Sequence, residues 1–275
     1  MSDRPLLFTD EEIVSFIIRG YLLLHPDFRP DLNELVCEQL DREGTSSVVN
    51  FANDADQTAI LRRAPALQEV FEHPRVHGAI VSLLGNPYTV YERFCHAIKP
   101  GQGRAYWHVD DVPVRHHLVR RIQLFYYPQT VTVDMAPTLL VPGTHFRIAP
   151  SDRLQTYGNI RTQVAMCVPA GTVAVLHYDI WHTPTRNTSN KTRYMIHLYC
   201  RRNEEPTQAT WKHNPAYDAT ALTRFHSDPT GGVFQTAQKL TRLHRLEMWQ
   251  YLLGQPRLSQ LHPEGVQGYL TCLQP

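Results

Sequence analysis

Ala170-Gly171-Thr172-Val173-Ala174-Val175-Leu176-His177-Tyr178-Asp179-Ile180-Trp181-His182 is the stretch on which the fold turns. Gly171 supplies turn chemistry, the run from Thr172 to Leu176 reads as a buried strand, and the chain then enters a loop that carries His182. Comparable β-branched or aromatic runs lie on both sides. They are Thr89 to Tyr91, Arg93 to Ile98, Ile122 to Tyr127, Val131 to Val133, Thr138 to Val141, Gln163 to Val168 and Tyr194 to Tyr199. Many short strands with no helix between them exclude a doubly wound sheet and point to a sandwich or jelly roll.

Outside this β core the texture is helical. Thr9-Asp10-Glu11-Glu12 is a capping box, in which hydroxyl and carboxylate satisfy orphan N–H groups ahead of the apolar stripe Ile13, Phe16, Ile17. That helix ends near Gly20, and Tyr21 to Leu24 reads as a buried strand. Asp31 and Glu34 repeat the capping pattern ahead of Leu35, Val36 and Leu40, and the span from Pro65 to Gly85 holds two more helical pieces. Residues 206–232 are polar and irregular. Helical spacing returns from Thr236 to Leu253 through Leu240, Leu243, Leu246 and Trp249. The expected organisation is a domain over 1–205, with its β core from about residue 88, and a C-terminal helical extension over 206–275 packed on the same domain.

Composition narrows the partners. The 275 residues carry 27 Lys and Arg against 26 Asp and Glu, a net charge of +1, so no bulk field favours nucleic acid or an anionic membrane. Apolar runs stop far short of the roughly 20 residues a membrane span needs. The five cysteines are widely spaced and form no C-x-x-C pair, as reduced thiols do. With no basic segment leading into an apolar one at the start, the chain reads as cytoplasmic. No oligomeric state follows.

His108-Val109-Asp110 is an H-x-D: in extended backbone a period of two sends the imidazole and the carboxylate to one face. Alone this pattern is weak, and it needs a third ligand, which the loop at His182 offers. Two His and one carboxylate with open positions beside them is the arrangement of non-haem Fe(II) oxygenases. Arg193 lies 11 residues beyond His182. Its planar guanidinium suits a keto-acid held by the metal at one end and by the Arg at the other. Gln123 and Phe125 share a strand face and are candidates for the wall of such a cavity, with core packing the alternative for Phe125.

Over roughly residues 9 to 202 the sequence resembles the phytanoyl-CoA dioxygenase-like family of Fe(II)- and 2-oxoglutarate-dependent oxygenases. The motifs, in order, are Phe16-Ile17-Ile18-Arg19-Gly20-Tyr21-Leu22, Trp107-His108-Val109-Asp110, Leu140-Val141-Pro142-Gly143-Thr144-His145, and His182 through Asn187, Ser189 and Arg193. The resemblance implies a β-rich α+β fold: a double-stranded β-helix, cupin-like, with N-terminal helices packed on one sheet. It implies His108, Asp110 and His182 as Fe(II) ligands and Arg193 as the clamp on the distal carboxylate of 2-oxoglutarate. With O2 as second cosubstrate, oxidative decarboxylation of 2-oxoglutarate would drive hydroxylation of an unactivated C–H bond in a small organic substrate. Many relatives carry Ser two residues after the distal His. Here that place holds Pro184, and Thr183 or Tyr178 stands in for it. Asp110 occupies the position that halogenating relatives leave to a small residue, which disfavours halogenation.

Each residue has a rival reading. His177-Tyr178-Asp179 is a second H-x-D, read as a buried, satisfied histidine. Asp111 competes with Asp110, but consecutive strand residues point oppositely. His145 reads as a loop-shaping hydrogen-bond partner. Arg115, His116, His117, Arg120 and Arg121 read first as a solvated face, and alternatively as steering for an anionic substrate. A catalytically silent jelly-roll ligand-binding protein and a cupin-like metalloenzyme that does not use 2-oxoglutarate are the competing functions.

Overall fold

The computed structural model describes residues 4–42, 59–110, 118–147, 151–228 and 235–255. Asp111 and the cluster members Arg115, His116 and His117 lie outside the described residues. The order is α1 (Asp10–Arg19), β1 (Tyr21–Leu24), α2 (Leu32–Arg42), α3 (Ala59–Arg63), α4 (Leu67–Glu72), α5 (Pro74–Leu84), β2 (Tyr88–Ile98) and β3 (Arg121–Tyr127). There follow β4 (Leu139–Leu140), α6 (Ser151–Leu154), β5 (Val164–Ala165), β6 (Thr172–His177), β7 (His182–Thr183), β8 (Arg193–Arg202), α7 (Asp218–Ser227) and α8 (Gln235–Leu252). No helix among the described residues is long and apolar enough to cross a membrane.

The strands form a five-stranded sheet in the order β1-β6-β3-β8-β2 and a three-stranded sheet in the order β5-β4-β7, every pairing antiparallel. Strand periodicity sorts the residues of the large sheet into two faces. Ile122, Leu124 and Tyr126 of β3 and Ile196, Leu198 and Cys200 of β8 join the apolar core under the helices. Phe125, Tyr127, Leu176 and Met195 turn the other way, against Leu140 of the small sheet. A one-residue slip of β8 would carry Arg193 into the helix-side apolar layer. An unpaired charge there costs several kcal/mol, so polar residues fix this register as firmly as apolar ones.

The predicted capping box of α1 is present. The Thr9 hydroxyl accepts from the Glu12 N–H, and the Glu12 carboxylate accepts from the Thr9 N–H at 2.9 Å. Gly20 closes the helix at φ 79°, where its missing side chain leaves room for the His145 ring. α7 and α8 pack on the same core through Ala221, Phe225, Met248 and Trp249.

Four expectations are corrected. Val131 to Val133 is not a strand: after Val131 pairs with Val168, the Asp134 carboxylate accepts from the Thr132 hydroxyl and the chain turns, leaving Val133 exposed. The runs at 89–91 and 93–98 are one strand with a pairing irregularity between Val90 and Glu92. His182 stands in a short strand, not a loop, paired with Leu140. The span 206–232 contains α7, whose few apolar contacts, Ala221 and Phe225 at i and i+4, are sparse among polar neighbours.

Candidate active site

His108 and His182 face each other across an isolated antiparallel bridge. The His108 N–H donates to the His182 carbonyl at 3.0 Å and the His182 N–H returns the bond at 3.1 Å. This pairing brings the two imidazoles to a centroid separation of 4.2 Å. Each ring is oriented the same way by its own backbone. His108 Nδ1 lies 3.0 Å from the Tyr106 carbonyl, and His182 Nδ1 lies 3.0 Å from the Ile180 carbonyl. With Nδ1–H donated to a carbonyl, Nε2 is left as a lone pair.

Asp110 completes the set. Its carboxylate oxygens stand 3.6 Å from His108 Nε2 and 3.6 Å from His182 Nε2, and one ligand atom from each of the three residues falls within 4.8 Å of the others. Burial, the neighbouring His182 and, in the opposite sense, Asp110 together push His108 down to about 4. The imidazole is therefore neutral at pH 7 and binds a cation without first losing a proton. Asp110 Oδ2 is buried with no hydrogen-bond partner among the described residues. Two imidazoles with Nε2 turned toward one carboxylate fit a divalent first-row metal.

The cluster opens on a cavity of about 270 Å³. Arg193, 1% exposed, stands in its wall, with one Nη donating to the Ala136 carbonyl at 3.1 Å while Nε and the other Nη have no hydrogen-bond partner among the described residues. Burial works against its charge. An anion entering the cavity would relieve both deficits, and a carboxylate matches the fork. The wall is otherwise largely apolar, with Phe125, Met195 and Ile98, and it includes Thr138, His96 and His197.

Gln123 and Thr183 stand one layer back from the cavity. Gln123 is fully buried and bonds His197, with 2.8 Å between its Oε1 and His197 Nε2. The Thr183 hydroxyl accepts from the Tyr106 N–H at 2.7 Å and donates to the Pro184 carbonyl at 3.0 Å, so it braces the segment that presents His108. Tyr178 packs beside Tyr199 and under Arg121. The second H-x-D is fully engaged: His177 Nε2 lies 3.3 Å from the Leu118 carbonyl and Nδ1 accepts from the Asp179 N–H at 3.2 Å. His145 Nε2 bonds the Ile17 carbonyl at 3.1 Å, tying the Pro-Gly-Thr-His turn to α1. His96 and His197 were missed in the sequence. The signal for His197 was present, since a strand turns residues 193, 195 and 197 to one side.

A family model described as phytanoyl-CoA dioxygenase matches residues 27–195. The chain belongs to that family. Among curated proteins, uncharacterized proteins of Mycobacterium bovis and Mycobacterium tuberculosis are each 33% identical to this phytanoyl-CoA dioxygenase family member over 90 residues. The match spans about a third of their length, 32%, and 33% of this chain. Among solved structures, the non-heme alpha ketoglutarate dependent carbocyclase SnoK from nogalamycin biosynthesis superposes with a TM-score of 0.56 at 18% identity, covering 79% of this chain and 93% of its own. HygX from Streptomyces hygroscopicus, with nickel and 2-oxoglutarate bound, gives 0.57 at 14% identity, covering 78% and 94%. EctD from S. alaskensis, with 2-oxoglutarate and 5-hydroxyectoine, gives 0.57 at 17%, covering 78% and 84%. These likenesses establish the jelly-roll fold of the family member.

Proposed function

We propose that this family member is an Fe(II)- and 2-oxoglutarate-dependent dioxygenase that hydroxylates an unactivated C–H bond of a small organic molecule. His108, Asp110 and His182 would hold the iron, and Arg193 the distal carboxylate of 2-oxoglutarate. The observation that carries this reading is the pairing of a three-ligand cluster with a buried, half-satisfied guanidinium in the wall of one cavity. A silent binding protein, or a metalloenzyme that uses no keto-acid, has no need of that guanidinium.

Iron and 2-oxoglutarate, when bound, supply the activation of O2 for C–H oxidation. The chain's own work is positioning and exclusion. The carbonyls of Tyr106 and Ile180 lock the two imidazoles with Nε2 inward. Arg193 fixes the cosubstrate at its far end, so its reactive end meets the metal in one orientation. Phe125, Met195 and Ile98 keep the reacting carbon in an apolar wall where water does not compete.

The test is anaerobic addition of Fe(II) and 2-oxoglutarate, followed by O2. The expected results are the weak visible charge-transfer band of a chelated keto-acid and then succinate release. No band at saturating reagents, or activity indifferent to 2-oxoglutarate, would overturn the reading.

A further inference from the structure

On the inner face of β8, two residues beyond Met195, His197 stands in the cavity wall at 2% exposure. β3 runs beside it, and Gln123 Oε1 accepts from His197 Nε2 at 2.8 Å. With its proton on Nε2, the ring keeps a lone pair on Nδ1, and that atom is buried with no partner among the described residues. A buried acceptor without a partner, on a ring that forms part of a cavity wall, is a place for a donor that arrives with a ligand. Phe125, opposite His197 in the strand pairing, packs edge-on to its ring at 4.4 Å and closes the apolar side. His96 stands beside it at 5.8 Å, also in the wall.

The rest of the wall narrows the donor. Its charged residues are both cationic, Arg193 and Arg104, and it contains no carboxylate among the described residues, Asp110 being turned to the metal cluster. Burial and the neighbouring imidazoles keep His96 and His197 neutral. An ammonium group would therefore lose its water with no carboxylate of the wall to meet it. A carboxylate would bring no proton to Nδ1. A hydroxyl exchanges one hydrogen bond for another and leaves the carbon skeleton against Phe125 and Met195.

We propose that His197, oriented by Gln123, is a substrate-binding residue that accepts a hydrogen bond from a substrate hydroxyl, so that the substrate class is a neutral alcohol. Gln123 is a positioning residue acting through His197. The inference rests on the oxygenase reading for the word substrate, and its test is chosen to run without turnover.

The full chain is loaded with Zn(II) and 2-oxoglutarate, isotope-labelled at the histidine nitrogens, and titrated to saturation with n-butanol or its isostere n-butylammonium. The expected spectrum has the His197 proton on Nε2. n-Butanol moves the Nδ1 resonance, and n-butylammonium moves it about tenfold less. Gln123→Leu raises the share of the Nδ1–H tautomer about tenfold, the scale of one buried hydrogen bond, while Gln123→Glu restores the Nε2–H form. A proton on Nδ1 in the unaltered protein, no response to n-butanol, or equal responses to the two probes overturns the proposal. The unaltered protein decides this even where a variant does not fold. A chain that passes yet releases no succinate keeps its hydroxyl site and loses the oxygenase reading, and one that releases succinate with Nδ1 protonated does the reverse.

Discussion

The chain contains two H-x-D segments of identical spacing, His108-Val109-Asp110 and His177-Tyr178-Asp179, and the fold treats them differently. In the first, His108 gives Nδ1 to a carbonyl and leaves Nε2 facing Asp110 and His182. In the second, both His177 nitrogens are already engaged, by Leu118 and by the Asp179 backbone. The difference shows that a spacing motif specifies which side chains share a face, while the neighbouring carbonyls decide which nitrogen remains open. The sharpest way to break this contrast is a matched pair of substitutions. Asp110→Ala should lower Fe(II) affinity and succinate release by more than about a hundredfold, beyond the usual range for an outer partner of a metal ligand. Asp179→Ala should leave both within about threefold and show its effect in stability. Equal losses in metal binding would erase the distinction.

Arg193 extends the same accounting from nitrogens to a guanidinium. It has one engaged Nη and two further nitrogens without partners among the described residues, whereas buried Arg245 donates both to backbone carbonyls and to Asp228. Arg193→Ala should weaken 2-oxoglutarate about a hundredfold, the scale of a charge-assisted bidentate contact, with Fe(II) affinity nearly unchanged. Arg245→Ala should reduce stability and leave the 2-oxoglutarate affinity alone. Calorimetric titration of both ligands into both variants checks this, and an unaltered cosubstrate affinity in Arg193→Ala would remove the clamp.

The open imidazoles also carry a pH signature. Burial pushes His108 to about 4 and His96 to about 3 from an ordinary 6.5, and pushes His197 well down. As the pH falls below 6.5 the unfolded chain takes up protons that the folded chain refuses. The metal-free protein should therefore lose stability from pH 6.5 down through 4, and for His96 on toward 3. The loss approaches about 1.4 kcal/mol per pH unit for each such histidine. Urea midpoints at pH 7, 5.5 and 4.5 test the sign, and His96→Gln should flatten the slope. A midpoint that rises on acidification would mean that these imidazoles are not neutral in the fold.

The sequence made the meeting of His108, Asp110 and His182 legible because each sits in a local pattern, an H-x-D and a histidine after a buried strand. Arg193 was legible for the same reason, through its distance from His182. Gln123 was read as facing the cavity, and it reaches the cavity only through His197, because period two gives the face of a strand and not the depth of a side chain within it. His197 shares the face of Arg193 within one strand, but its meeting with His96 and Gln123 escaped notice because it depends on the β2–β8–β3 register, which no single stretch encodes. α7 escaped because two buried residues, Ala221 and Phe225, decide it. The turn at Asp134 rests on the Thr132–Asp134 side-chain bond, the Met135 N–H to Thr132 carbonyl bond and contacts to the distant 187–189 segment, which together override a run of valines and threonines.

Thr183 gives the smallest and most discriminating test. Its hydroxyl holds the Tyr106 N–H, and the Tyr106 carbonyl in turn holds His108 Nδ1, so its effect on the metal passes through two hydrogen bonds. Thr183→Val removes the acceptor and keeps the shape of the side chain. The loss of one such bond should cost about 1 kcal/mol of stability and less than tenfold in Fe(II) affinity, because the His108–His182 backbone bridge still holds the rings together. 2-Oxoglutarate affinity at saturating metal should stay unchanged, since the hydroxyl is already committed at both its donor and its acceptor. The opposite pattern, intact Fe(II) affinity with weakened cosubstrate binding, would mean that the hydroxyl turns from Tyr106 to the ligand on binding. Thr183 would then replace the serine that relatives carry two residues after the distal histidine.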